Sequence, residues 1–303
     1  MAPRRYDWSR HPVSMDVILA QTVVNGLMVG MIYVLMAIGF TLVFGIMRIV
    51  NFAHGEFYMI GAFLFAVLYG SNGMPFAVSV LLAIGATAVL GLLMERVVFR
   101  RFRGNELNGM IASVGVALIL QNTALLLGGP SARTVPAVIS GVLSVGGIVF
   151  PWSRLVVIMG AIIAVASLNL LIGYTRIGRA MRAVAQDAEI AQVQGIRVDV
   201  IFPAAFVLGV SLAAFAGVLM APVLSVSPFI GLAPTLKAFV IVVIGGLGSV
   251  PGAVVGGLLI GLIESFAGTF VSASLSEILQ FLVVIGVVLL RPQGLLGRKE
   301  REA

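Results

Sequence analysis

Long apolar segments recur along almost the whole chain, and no other feature limits the possible folds as strongly. Eight candidate spans are found, at about residues 16–44, 56–70, 76–95, 110–128, 154–174, 200–222, 236–266 and 272–290. About 20 apolar residues are enough to cross a bilayer as an α-helix. Membrane β-barrels instead contain short segments of alternating hydrophobicity. The sequence therefore predicts an all-α, polytopic membrane protein.

Composition leaves little room for a soluble domain, since 60% of the 303 residues are hydrophobic, 10% are charged, and the mean hydropathy is +1.14. We expect one transmembrane domain over residues 1–303, with a polar tail at 1–15 and no cleaved signal peptide. The chain has no cysteine, which excludes disulfides and thiol chemistry. The net charge of +7 comes largely from arginines beside the spans, so it favours an orientation signal over nucleic-acid binding.

Arginine clusters predict which ends of the spans face the cytoplasm. By the positive-inside rule, the cytoplasmic segments should be 96–103, 176–197 and the tail 291–303. The loop 129–153 is then expected to face outward. Parity also places the N-terminus outside, whereas Arg4, Arg5 and Arg10 favour the inside, so the orientation of that end stays open.

Two interruptions divide the apolar runs in similar ways. The run 236–266 is too long for one helix and is predicted to break at residues 245–252, which gives about nine segments, some of them half-spans. The first run breaks between Gly45 and Glu56. A glycine-rich helix follows each break, so we infer two broken helices in a weak pseudo-repeat, with a pathway near the repeat interface. Alternatively, the glycines only let helices approach closely, as in GxxxG packing.

Polar residues at membrane depth are candidates for lining that pathway, because burying a charge there requires a partner or an aqueous route. The candidates are Asn51, His54, Glu56, Lys237 and Glu264. Structural alternatives exist for most of them. His54 and Glu56 can form a buried pair that fixes the broken helix. Lys237 can extend its amine to the membrane interface.

Catalytic chemistry finds no support in the residue pattern. The two lysines, Lys237 and Lys299, lie in no phosphate-binding loop of the GxxxxGK[ST] type. The two histidines, His11 and His54, exclude an HExxH metal site, and His54-Gly55-Glu56 lacks the cysteine pair that zinc deaminases need. We predict that the chain is not an enzyme and that it holds no catalytic residue, metal or cofactor.

The polar segment 174–199 interrupts the apolar runs with four arginines and several small residues. Its charge predicts a cytoplasmic position, and its small residues are typical of a surface where a partner docks. The alternative is an ordinary charged loop that only sets the topology.

Several segments together resemble one family. The stretch GLMVGMIYVLMAIGFTLVFGIMRIVNFAHGEFYMIGAF (26–63) is similar to the opening signature of the permease subunits of branched-chain amino acid ABC importers. Further segments resemble the same family in order: 95–104, 111–122, 175–196, 215–222, 236–261 and 291–298. The resemblance spans nearly the whole chain, apart from the arginine-bearing N-terminal tail before about residue 20.

The resemblance implies an all-helical permease in the bacterial plasma (inner) membrane. It implies four kinds of partner: a second related permease, two cytoplasmic ATP-binding subunits that bind the ATP, an extracytoplasmic substrate-binding protein, and membrane lipid. It also makes 175–199 a cytoplasmic coupling loop. The residues it assigns to coupling with the ATPase are Arg179, Ala183, Asp187, Ala191 and Gly195.

The implied cargo is a branched-chain or other small amino acid, and amides or urea are alternatives within the same class. Two other classes stay open. A passive channel would place Asn51-Phe52-Ala53 and Ser249-Val250-Pro251 at a pore. A transporter independent of ATP would couple to protons or sodium through Glu56 or Glu264.

Overall fold

The computed structural model of the chain describes residues 14–145 and 148–297, within which it has eleven α-helices and one β-hairpin. The helices are α1 (Met15–Met47), α2 (His54–Phe65), α3 (Phe76–Val97), α4 (Glu106–Gly128), α5 (Trp152–Tyr174), α6 (Arg176–Gln186), α7 (Ala188–Val193), α8 (Val198–Met220), α9 (Leu232–Gly245), α10 (Val250–Phe270) and α11 (Ala273–Leu290). A π-helical turn, Ala66–Ser71, extends α2, and a 3-10 turn, Phe99–Phe102, follows α3. The antiparallel strands are β1 (Val142–Val145) and β2 (Ile148–Pro151).

Seven helices of the described chain are long and apolar enough to cross a membrane: α1, α3, α4, α5, α8, α10 and α11. The shorter apolar helix α9 and the 12-residue helix α2 bring the number of segments to nine. The prediction of an all-α polytopic protein with about nine segments is confirmed. The β-hairpin lies in the expected outward loop 129–153 and was not predicted. The expectations for residues 1–13, including Arg4, Arg5 and Arg10, and for residues 298–303 lie outside the described residues.

The long run 236–266 does break where its glycines predict. α9 ends at Gly245, and the chain turns through Gly246 and Gly248, whose φ angles of +101° and +81° favour glycine. Ser249 then caps α10, since its Oγ accepts a hydrogen bond from the Gly252 amide at 3.1 Å.

The first interruption leads the chain back into the bundle. α1 ends at Met47, the next residue Arg48 has a left-handed φ of 55°, and the residues after it return along α1. His54, the first residue of α2, lies beside Met36, which is about 17 Å from the end of α1 at the rise of an α-helix. α2 is therefore a half-helix that begins inside the bundle.

The counterpart of this half-helix is α9, and this differs from the expected pairing of breaks. The segment 221–231 follows α8 into the bundle, and Gly231 meets Gly55 so closely that each occupies the space a β-carbon on the other would need. The break at 246–249 is a turn between two packed helices. The sequence marks this region only as a gap between two candidate spans, with Pro222, Pro228 and Gly231 as turn signals, and does not show that the gap enters the bundle.

Contacts between distant segments define two ends of the bundle. At one end, Arg103 Nη1 lies 2.6 Å from Asp199 Oδ1, and the Leu295 amide donates to the Ile244 carbonyl at 2.7 Å. We call this the arginine end, formed by residues 96–105, 175–199, 246–249 and 291–297. At the other, the hairpin end, Arg133 pairs with Val226, and the Val149 amide donates to Gln21. The described parts of all three arginine clusters thus share one end, opposite the loop 129–153.

Glycines set the closest helix contacts, in agreement with the packing alternative. α1 is the most buried span, and it lies against α10 where Gly30 meets Gly257 and Gly261. It meets α8 where Gly39 faces Gly209. Without β-carbons the helix backbones touch, which fixes the register of α1 against both neighbours.

Candidate functional site

A polar cluster inside the bundle is built on Lys237 and Glu264. Lys237 Nζ lies 2.6 Å from both carboxylate oxygens of Glu264 and 2.7 Å from the Tyr33 hydroxyl. That hydroxyl lies 2.8 Å from Glu264 Oε2, and the Gln280 amide donates to the same oxygen at 3.3 Å. We call these four residues the Lys–Glu cluster. It joins α1, α9, α10 and α11, so it depends on contacts between the first and last parts of the chain.

The Lys–Glu cluster faces a cavity of about 260 Å³. Apart from Tyr33, Lys237, Glu264 and Tyr58, the cavity wall is mostly apolar. The apolar side chains that line it are Val29, Ile32, Ala62, Met220, Ala221, Leu224, Val226, Ile230, Ala233 and Pro234. The arrangement offers one positive and one negative group to a small molecule, next to an aliphatic surface.

The structure corrects the expectation that Lys237 extends to the membrane interface. Lys237 is the sixth residue of α9, a position that would be near a membrane surface in a full span. Because α9 is a half-helix that begins inside the bundle, the amine instead meets Glu264. The pathway assignment of Lys237 and Glu264 stays a prediction, and the cavity supports it.

Asn51, His54 and Glu56 form a second, separate group at the start of α2, and none of them lines the cavity of the Lys–Glu cluster. Asn51 Oδ1 accepts from the Ala53 amide at 3.0 Å and closes the turn before α2. His54 is fully buried, with Nε2 3.1 Å from the Met36 carbonyl and its ring edge-on to Phe40. These contacts fix the half-helix against α1.

The possible His54–Glu56 pair does not form. His54 bonds Met36 instead, and Glu56 Oε2 is buried without a hydrogen-bond partner among the described residues. On a helix, neighbouring side chains two residues apart point to different faces, which explains why the pair is not made. Glu56 is therefore a buried carboxyl group that does not pair with His54.

The two turns required by the channel alternative do not meet. Ser249 caps α10 at the arginine end, whereas Asn51-Phe52-Ala53 precedes the half-helix α2 inside the bundle. The short helix that faces α2 is α9, through Gly231 and Gly55. Ser249-Val250-Pro251 is thus not the partner of Asn51-Phe52-Ala53 in a pore.

The predicted coupling loop forms the two helices α6 and α7 at the arginine end. Thr175 caps α6 by accepting from the Gly178 amide at 3.0 Å, and Asp187 caps α7 by accepting from the Ile190 amide at 2.9 Å. Gly195, with a φ of +83°, ends the segment after α7, and the Ile196 amide returns to the Ala191 carbonyl. Asp187 and Gly195 therefore set the two ends of α7.

The predicted coupling residues differ in exposure. Arg179, Asp187 and Gly195 are exposed, Ala183 is partly buried, and Ala191 is buried against the rest of the chain. Ala191 therefore cannot touch a partner directly, and instead packs α7 against the bundle. The coupling role of all five residues stays a prediction.

Sequence reasoning missed an apolar surface on the coupling segment. Tyr174, Ile177, Ile190 and Val193 are all exposed, and Val193 most of all, at 86%. Ile177, Ile190 and Val193 lie on the polar loop and Tyr174 is the last residue of α5, so these exposed side chains form a candidate interaction surface at the arginine end. The prediction rested on the charge and the small residues of this loop. The large apolar residues among its arginines were also visible in the sequence and could have predicted the surface. We call these four residues the apolar coupling surface.

Sequence reasoning also missed Tyr33 and Gln280. Gln280 is a polar residue within an apolar run, and such residues usually face the bundle interior, so it was readable as a site candidate. Tyr33 carried no comparable signal, because tyrosine is common in membrane helices. In the described ranges, no three His, Asp or Glu side chains come together as a possible metal site.

The fold and the Lys–Glu cluster define a multi-pass helical membrane protein with a polar site and a small cavity inside its bundle. The chain belongs to the family described as the permease component of the branched-chain amino acid transport system, whose family model matches residues 22–288.

Named relatives cover nearly the whole chain. The high-affinity branched-chain amino acid transport system permease protein BraD of Pseudomonas aeruginosa is 37% identical over 297 residues, which is 93% of this chain and 97% of that one. The permease protein LivH of Escherichia coli is 36% identical over 93% of this chain and 96% of its own length. A probable LivH of Methanocaldococcus jannaschii is 26% identical, with 87% and 88% covered. No solved structure matches the chain.

Proposed function

We propose that this chain is the membrane-spanning permease subunit of an ATP-binding-cassette importer for branched-chain amino acids. The observation that carries the proposal is the similarity to permeases of this transport system along nearly the full length of both chains. The aliphatic cavity beside the Lys–Glu cluster supports a cargo with an apolar group, such as a branched-chain amino acid, over urea, which has no such group.

The partners follow from the same assignment. We infer a second, related permease in the membrane, two ATP-binding subunits at the arginine end, and a substrate-binding protein at the hairpin end. The chain would lie in the plasma (inner) membrane of a bacterium, surrounded by lipid along α3, α4, α5 and α11, whose described surfaces are mostly exposed and apolar. ATP would be bound by the partner subunits.

The coupling segment supports a mechanical link between ATPase and bundle. α6 is attached to the bundle through its buried residues Met181 and Val184, and it lies over a cavity of about 310 Å³ bordered by the end of α1 and the turn 247–250. Because this space is not filled by side chains, α6 has room to move towards α1. Closure of the ATPases would push on α6 and α7 and shift α1 relative to α9 and α10.

Translocation would use the region where the half-helices meet. Half-helices with their ends inside the membrane are typical of transporters, since they place irregular backbone only where protein or a cavity can satisfy it. The cavity beside the Lys–Glu cluster would receive the cargo from the hairpin end. Movement of α1 against α9 would then open a route to the arginine end.

The experiment is co-purification of the tagged chain from its native membrane in mild detergent. Val193→Arg places a charge in the apolar coupling surface, at a side chain that is 86% exposed, so the substitution should leave the packing of the bundle unchanged. Val142→Arg is the matched control, since it changes an exposed valine of β1 at the opposite end.

We expect the ATP-binding subunits to co-purify with wild type and with Val142→Arg, and to be lost with Val193→Arg. Equal recovery of the ATP-binding subunits with all three chains would reject the proposal that they bind the apolar coupling surface. A wild-type chain that purifies alone and transports without ATP would reject the importer and favour a channel or secondary transporter.

A further inference from the structure

We propose that the Lys–Glu cluster is a binding site for the zwitterionic backbone of an amino acid, with the α-carboxylate at Lys237 and the α-ammonium at Glu264. The proposal rests on the importer function above and assigns the chemistry of its cargo site.

The first argument is charge. Lys237 and Glu264 have side chains only 19% and 30% exposed, and they form an ion pair inside the helix bundle. A free cation or anion entering the cavity would leave one of these charges without a partner, which is costly at low dielectric. A zwitterion lying antiparallel to the pair matches both charges and leaves the site neutral.

The second argument is access. The side chains of Lys237 and Glu264 keep part of their surface open to the cavity of about 260 Å³, so a ligand can reach them without unfolding a helix. The apolar residues of the cavity wall do not cover Lys237 and Glu264 completely but line a space beside them.

The third argument is size and polarity. Pockets for drug-sized ligands measure about 300–1,000 Å³, and this cavity is slightly smaller, as expected for a single amino acid. Apolar residues of α1 and of 220–234 form the wall next to the charged pair. An aliphatic side chain would lie there while the backbone charges meet Lys237 and Glu264.

The fourth argument is the position of α9. Ala233 and Pro234, in the first turn of α9, line the same cavity. The N-terminal end of a helix carries partial positive charge. The partial positive charge of the α9 N-terminus therefore lies on the same helix as the positive charge of Lys237. Together they attract the carboxylate of the zwitterion, and this sets the direction in which the zwitterion lies.

The test uses the complete transporter, with its ATPase and binding-protein partners, in proteoliposomes. One variant, Lys237→Met with Glu264→Gln, removes both charges together and keeps side-chain volume. A second, Lys237→Glu with Glu264→Lys, exchanges the charges and keeps an ion pair. Glu277→Gln is the matched control, because Glu277 is an exposed carboxylate on α11 that does not line the cavity.

We expect ATP-dependent leucine uptake to fall at least about tenfold in both double variants, the loss that one charge-assisted hydrogen bond represents, and to stay at the wild-type rate in Glu277→Gln. Uptake by the neutral variant within twofold of wild type would overturn the proposal. So would recovery of uptake by the exchanged pair, since that outcome assigns the pair a purely structural role. If the variant without charges does not assemble, leucine uptake by the variant with exchanged charges decides between a binding role and a structural role of the pair.

A second readout tests the zwitterion directly. Leucine, 4-methylpentanoic acid and 3-methylbutylamine share the aliphatic group but differ in their charges. In the transporter without its binding protein, leucine is expected to raise the midpoint of thermal unfolding, and neither analogue to do so. Equal shifts with all three would overturn the proposal. Absence of ATP-dependent uptake by the wild type would instead reject the importer function itself.

Discussion

Single residues decide whether the two half-helices can meet inside the bundle. A β-carbon on Gly55 would overlap the carbonyl group of Gly231 and the Thr235 hydroxyl. Backbone atoms have no rotamers through which to move away, so Gly55→Ala should cost about 3 kcal/mol, the upper end for overpacking. The expected result is a lower midpoint of thermal unfolding and less folded protein in the membrane.

The control for this prediction is Gly115→Ala. Gly115 lies in the spanning helix α4, and a β-carbon there meets nothing within 4 Å. Helix propensity favours alanine over glycine, so this variant should be neutral or slightly more stable. Equal unfolding midpoints for Gly55→Ala and wild type would show that α2 and α9 do not touch as described.

Residue identity alone predicted which side chains are unusual, but not what they contact. Lys237 and Glu264 were recognisable because charges are rare in spans, whereas their partner Tyr33 lies 204 positions from Lys237 in the chain. The interface position expected for Lys237 was wrong because its depth depends on where α9 begins. That start is set by the contact between Gly231 and Gly55, which a single sequence does not reveal.

At the scale of elements, α7 is a six-residue helix whose first turn depends on its cap. Asp187 Oδ1 accepts from the Ile190 amide, and either Asp or Asn can make this bond. Asp187→Ala should destabilise α7 by about 1 kcal/mol and weaken co-purification of the ATP-binding subunits. Asp187→Asn should keep both the stability of α7 and the co-purification of the ATP-binding subunits, because the cap is kept and only the charge is removed.

Two measurements distinguish a capping role of Asp187 from a charge contact with the partner. They are hydrogen exchange at the Ile190 amide and recovery of the ATP-binding subunits. Faster exchange and weaker recovery in Asp187→Ala alone assign it a structural role. Loss of recovery in Asp187→Asn with normal exchange would mean that a partner reads the carboxylate charge, and the capping explanation would fail.

Elements were predictable where hydrophobic length or glycine marked their limits. The break between α9 and α10 was predicted because 31 residues from 236 to 266 exceed one span and contain the glycines of 245–252. The entry of 221–231 into the bundle was not predicted, because Pro222 and Pro228 mark an irregular segment without showing at what depth it lies. The β-hairpin was missed for another reason, since its strands are only four residues long.

The whole molecule has two chemically different ends, and this asymmetry predicts its orientation. Arginines of three sequence-distant segments come together at the arginine end, which the positive-inside rule places in the cytoplasm. The absence of cysteine from the sequence makes single-cysteine labelling a clean test. Ser144→Cys reports on the hairpin end, and Glu189→Cys reports on the coupling segment. Both native side chains are exposed.

In intact cells, with the outer membrane permeabilised where one is present, a membrane-impermeant maleimide should label Ser144→Cys. Glu189→Cys should react only after the plasma membrane is opened. Pre-treatment with a permeant maleimide should block both, which controls for reactivity. The reverse pattern would place α6 and α7 outside, where no ATP-binding subunit could reach the apolar coupling surface. Because one orientation fixes both ends, this experiment decides whether the hairpin end, from which the cavity beside the Lys–Glu cluster would load, faces outward as an importer requires.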